Sequence, residues 1–195
     1  MDDDSKFRKR ISVEDFNKYH HKIWSYSKYY GELFSTSYKL YVDKSGQGAL
    51  HILFNLTEIL IKSKLDSYTI SFNDACMKMC DDGMICELEY EFLNNKNYGI
   101  RGIRNIMTHA NLMKFNLIYP DDSSELMYPM TEDYNCLVLY ENIAPKLSEI
   151  LVKIICDNVL DEEACHRMDI LSFPNIVFKK LTIEQLIRSR GLNVE

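Results

Sequence analysis

The sequence predicts an all-α fold, a single helical bundle of about five or six helices, on three observations. Apolar residues recur three and four apart over long stretches, the spacing that gathers them on one helix face. Several of those stretches are preceded by a Ser or Thr with an acid or amide three residues later, the pattern that caps a helix N-terminus. Seven Gly and four Pro in 195 residues are too few for a loop-rich β architecture. The 46% hydrophobic content is enough to build one core. The expected organisation is a charged, flexible N-terminus over residues 1–12, the bundle over 13–160, and a C-terminal extension over 161–195 packing on it.

Taken in order, Ser12-Val13-Glu14-Asp15 opens the first helix, with Ser12 capping and the acids at the positive end of the helix dipole. This helix is expected over about Val13 to Val42, with Gly31 as the point of interruption. Asp43 to Gly48 then breaks the chain. No strand precedes its glycines and no Lys-Ser/Thr pair follows them, so a phosphate-binding loop is set aside in favour of an interhelical turn. The next helix, about Ala49 to Lys64, is apolar round most of its circumference, which places it centrally. Its polar exceptions, His51, Asn55, Glu58 and Lys62, fall on one stripe. That stripe either faces solvent or meets opposite charge from another helix.

Ser71 to Asp74 caps a further helix through about Met79, broken at Asp81-Asp82-Gly83. Helix resumes over Met84 to Leu93 with Glu87, Glu89 and Glu91 outward, and Asn94 to Asn97 form a turn. A helix from Tyr98 to about Lys114 follows. Phe115 to Met130 reads as a loop or irregular insertion, and Thr131 to about Val159 as a helix with a kink or restart at Pro145. Ile176-Val177-Phe178 suggests a short strand. Thr182 to Gln185 is a last capping box, with Gly191 suited to end that helix.

Charge and cysteine usage narrow the function classes. A formal net charge of −6 gives no global basic field, so any nucleic-acid contact must rest on a local positive site. Six Cys in apolar or helical settings, with no Cys-x2-Cys pair, read as free buried thiols in a reducing compartment and not as a zinc site. No apolar run is long enough to span a bilayer and no secretory leader is evident, so a cytoplasmic location without a membrane partner is expected. No metal or cofactor is called for. A hydrolase of the nucleophile-elbow type lacks its strand–turn–helix context, and His20-His21 reads as surface or partly buried structure.

The stretch that a plain fold would not require is Arg101 to Ala110. On a helix, Arg101, Asn105 and His109 share a stripe at i, i+4, i+8; Arg104 lies a turn from Arg101 and beside Thr108. Ile103, Ile106, Met107 and Ala110 face the body of the protein. Cleavage of RNA needs a base for the 2′-hydroxyl proton, an acid for the leaving 5′-oxygen and positive charge on the phosphorane. An imidazole near its free pKa and a guanidinium supply these. Arg104 and His109 are five residues apart, roughly 140° round the helix axis, and converge poorly within one chain. Two copies related by a two-fold axis would bring two Arg and two His into one cleft. The plainer alternative is a hydrogen-bonded structural His109 and an Arg104–Glu58 ion pair.

Arg104-Asn105-Ile106-Met107-Thr108-His109 resembles the Arg-Asn-x-x-x-His motif of the HEPN superfamily, all-α domains many of which are RNA-cleaving toxins or defence effectors. The resemblance is helped by the preceding apolar helix with Asn55 and Glu58, where the family often sets polar residues against the motif. It implies a metal-independent endoribonuclease, a toxin or effector of stress or anti-phage defence, with the active cleft shared across a homodimer. Arg104 would stabilise the phosphorane, His109 would act as general acid and base, and Asn105 would position them. Arg101 and Thr108 would contact substrate, and Asn55 and Glu58 would give polar support. Partners compatible with it are an RNA or nucleotide substrate, a second copy of the chain, and an antitoxin or nucleotidyltransferase. The alternatives are a non-catalytic module binding nucleotide, RNA or a partner protein through the same groove, and a purely structural dimerisation domain.

Overall fold

Ser12 sets where the first helix begins: its hydroxyl accepts from the Asp15 amide at 3.1 Å while the Asp15 carboxylate reaches back to the Ser12 backbone. The computed structural model describes residues 10–109, 112–117, 128–156, 179–180 and 182–189. Within them the helices are α1 (Val13–Tyr26), α2 (Lys28–Val42), α3 (Gly46–Lys64), α4 (Phe72–Asp81), α5 (Glu87–Asn94), α6 (Ile100–His109), α7 (Asp133–Ile155) and α8 (Ile183–Ser189). The chain is an all-α bundle, as its periodicity requires.

α3 and α7 form the centre, α3 packing against both α2 and α7. Leu50, Leu53, Phe54, Leu56 and Leu60 of α3 and Leu139, Ile143, Leu147 and Ile150 of α7 are buried almost completely. Burial of each such side chain is worth about 1.5–3 kcal/mol. Polar groups inside this core are matched: Ser37 donates to the Ala49 carbonyl at 2.9 Å, and the Tyr41 hydroxyl donates to Glu141 at 2.9 Å.

Several expectations need correction. The long first helix is two, and the break falls at Ser27, not at Gly31. Ser27 is extended (φ −155°, ψ 123°); its amide closes α1 on the Ile23 carbonyl and its carbonyl accepts from Gly31 at the start of α2. Gly31 serves contact instead. A Cβ there would sit 2.6 Å from Trp24 Cε3 and 2.8 Å from Trp24 Cα, so its missing side chain lets α2 close onto α1. α3 begins at Gly46, inside the expected break.

Glu89 does not point outward with Glu87 and Glu91. It is 3% exposed, caps the Cys86 amide at 2.7 Å and holds Lys153 of α7 at 2.8 and 3.0 Å. The motif helix is also shorter than expected. Asn95 accepts from the amides of Asn97 and Tyr98, a local turn that delays α6 to Ile100. Past His109 the described chain resumes as a 3₁₀ turn, Leu112–Lys114. α7 runs through Pro145 as one element rather than restarting there.

The ends of the presumed irregular insertion are ordered as strands. β1 (Phe115–Leu117) pairs antiparallel with β2 (Tyr128–Pro129) and with β3 (Lys179–Lys180), in the order β2-β1-β3. Asn116 faces Pro129 on one side and Lys179 on the other. β3 therefore ties part of the C-terminal extension to the chain just beyond the motif helix. The suggested strand at Ile176–Phe178, the Gly191 cap and Ala110 lie outside the described residues.

Candidate nucleic-acid interface

α6 has one buried flank and one polar flank. Ile103 and Met107 are buried and Ile106 half-buried, as the sequence spacing requires; Asn105 and Thr108 are exposed. Gly102 faces inward onto the turn before the helix. A Cβ there would lie 2.8 Å from the Lys96 carbonyl carbon and 3.2 Å from the Asn95 carbonyl oxygen, so α6 rests on that backbone directly.

Arg104 is held from two sides. Its Nη1 donates to Glu58 Oε2 of α3, and its guanidinium lies over the Phe72 ring of α4, 5.0 Å from the centroid. Glu58 also receives Lys62 Nζ at 2.7 Å. The three charged side chains are about a quarter exposed or less, so one carboxylate bridges two cations at a partly shielded surface. The local balance is positive within a chain that is acidic overall. The polar stripe of α3 thus divides: Glu58 meets Arg104 of α6 and holds Lys62 within α3, whereas His51 and Asn55 are exposed.

Arg101, expected on the same stripe as Asn105 and His109, turns to other partners. Its Nη1 donates to Asn73 Oδ1 and, at 3.2 Å, to Asn94 Oδ1. Asn94 in turn donates to Asn73 at 3.1 Å and to the Tyr90 hydroxyl at 2.7 Å. Asn73 also donates to Asp74; this bond, the one from Ser71 and the charge of Arg101 hold the Asp74 carboxyl below its usual range. The arrangement braces α4, α5 and α6 together. The backbone of His109 closes α6, and its side chain lies outside the described residues.

The roles of Phe72, Asn73 and Asn94 were not read from the sequence. Ser71 to Asp74 carried only a capping signal, and a side chain's packing against a helix distant in sequence leaves no local trace. Cys76, one turn further along α4, is fully buried, and burial pushes its thiol up to about 12 despite the pull of Arg101 and Arg104. It is a protonated thiol packed in the core. The His20 reading holds: its Nε2 lies 2.8 Å from Ser35 Oγ, its ring stacks on Phe16, and burial followed by the charge of His21 lowers its pKa. Among the described residues no group of three His, Cys, Asp or Glu side chains is placed to hold a metal ion. No described helix is long and apolar enough to cross a membrane.

Comparison with family models, with curated proteins and with solved structures gives no match to this chain.

Proposed function

We propose that the chain is a metal-independent endoribonuclease of the HEPN type, an effector in toxin or defence systems, with the active cleft shared between two copies. One observation carries this reading. The whole Arg-Asn-x-x-x-His hexapeptide lies on a single helix whose apolar flank is buried, with Asn105 and Thr108 exposed and Arg104 partly so.

In this reading the 2′-oxygen of a ribose attacks the adjacent phosphorus and the bond to the 5′-oxygen breaks, leaving a 2′,3′-cyclic phosphate and a 5′-hydroxyl. His109 removes the 2′-hydroxyl proton, its counterpart from the second copy protonates the leaving 5′-oxygen, and Arg104 neutralises the phosphorane. Asn105 orients the imidazole or a phosphate oxygen. The test is incubation of the purified chain with single-stranded RNA in EDTA. His109→Ala should slow cleavage at least about 100-fold, with helicity by circular dichroism and sedimenting mass unchanged from a dimer. Undiminished cleavage by that variant rejects the assignment.

The Arg104–Glu58 pair favours a second reading, a non-catalytic module that binds nucleotide, RNA or a partner protein. Arg104 already has a carboxylate partner, which a phosphate would have to displace. Affinity for RNA without cleavage, across substrates of varied sequence, would decide for it.

A further inference from the structure

Beside Glu58, the start of α2, the outer face of α3 and the link between α3 and α4 form an open groove of about 480 Å³. It is lined by Tyr29, Tyr30, Asn55, Glu58, Ile59, Lys62 and Tyr68. Two of its tyrosines are unusually bare, Tyr29 at 59% and Tyr68 at 66% exposure. Tyr30 is firmer: Tyr26 stacks on it at 6.1 Å with 21° between the rings, and Tyr29 tilts against it at 5.7 Å. The amide of Asn55, also exposed, bonds to no other described residue.

The chemistry of this lining selects among ligands. A bare anion would use Lys62 but none of the three rings, and Glu58 would oppose it. An apolar peptide would find one aliphatic side chain, Ile59, among polar neighbours. A planar aromatic heterocycle uses the rings and the amide. Tyrosine rings offer faces for stacking, and an Asn amide offers a donor and an acceptor to a base edge, while Lys62, paired with Glu58, leaves an attached phosphate to point out to solvent. Glu58 belongs to the groove wall and to the Arg104 ion pair alike, so the groove and the α6 motif are contiguous.

We propose that this groove seats an unpaired nucleobase of single-stranded RNA, with Tyr29 and Tyr68 stacking on it and Asn55 reading its edge. The RNA source rests on the ribonuclease reading above; the base recognition does not, because a free nucleotide carries the same base and phosphate.

The test uses the full chain carrying His109→Ala, so that the probe survives, and fluorescence anisotropy with a labelled ten-nucleotide single-stranded RNA. Tyr29→Leu and Tyr68→Leu should each weaken binding about 10-fold, whereas Tyr68→Phe, which keeps the ring, should bind like the parent. Leucine variants that bind as tightly as the parent overturn the groove while leaving the nuclease reading untouched. Ring-dependent binding, together with no RNA cleavage by the chain that keeps His109, keeps the groove and removes the nuclease. Adenosine 5′-monophosphate displacing the probe at concentrations near the oligonucleotide's own Kd supports the base site and assigns it to free nucleotide. Binding of neither probe overturns it.

Discussion

Glu89 and Glu58 are both glutamates on helices, each paired with a cation, yet they do different work. Glu89 is 3% exposed, and its pair with Lys153 joins α5 to the centre of the bundle. Removing one partner of such a pair strands the other charge away from water, which costs about 3–5 kcal/mol. Lys153→Met should therefore lower unfolding free energy by about 3 kcal/mol, read as a shift in the urea midpoint at constant slope. An unchanged midpoint would mean that the pair is hydrated in solution. Glu58 is a quarter exposed and shared between Arg104 and Lys62, so it contributes less to stability. Its effect is to fix where the Arg104 guanidinium points, and any phosphate bound there competes with it.

α6 is a ten-residue helix, too short to be stable by its own propensity. It is held by Ile103 and Met107 in the core, by Arg101 braced on Asn73 and Asn94, and by the contact of Gly102 with the backbone of the preceding turn. That last contact admits no side chain and involves backbone, which cannot rotate away. Gly102→Ala should push α6 off the turn at a cost of about 1–3 kcal/mol, and displace Arg104 from Glu58 and Phe72. The thermal midpoint should fall by several degrees, and if the motif is catalytic, cleavage should fall further than stability explains. A variant as stable as the parent would show that the turn yields. Alanine's better helix propensity, worth under about 1 kcal/mol, is too small to reverse the sign.

For the whole molecule, burial divides the cysteines. Cys76 and Cys136 are fully buried with thiols pushed up to about 12, chiefly by burial, while Cys156 is exposed at the end of α7. The thiolate is the reactive form, and burial leaves little of it in either of the two enclosed thiols. In native protein near pH 8, iodoacetamide should label Cys156 within minutes. Cys76 and Cys136 should follow only at the rate of global opening, or at once in denaturant, as peptide mass spectrometry would show. Equal labelling of Cys76 and Cys156 would contradict the burial of Cys76 on the inner face of α4.

Much of this architecture was legible in the sequence because its causes are local. Ser12, Ser71 and Thr182 announce helix starts through bonds to residues three positions on, and the capping bonds form as the spacing demands. The apolar circumference of α3 announced a central helix, and the α6 spacing announced buried Ile103 and Met107. What the sequence alone could not decide was set by elements far apart in the chain. Glu89 alternates with two other acids and reads as surface; only Lys153, 64 residues on, draws it inside. Gly31 reads as a helix breaker, but the approach of Trp24 makes it a contact. The strands at Phe115 and Tyr128 are too short to show a period of two and exist only by pairing with each other and with Lys179–Lys180. For the motif itself, the sequence determined which polar groups lie on one helix. The tertiary structure decided their partners: Arg104 to Glu58, Arg101 to the asparagines of α4 and α5, because a side chain's neighbours are set by packing between helices and not by spacing along one.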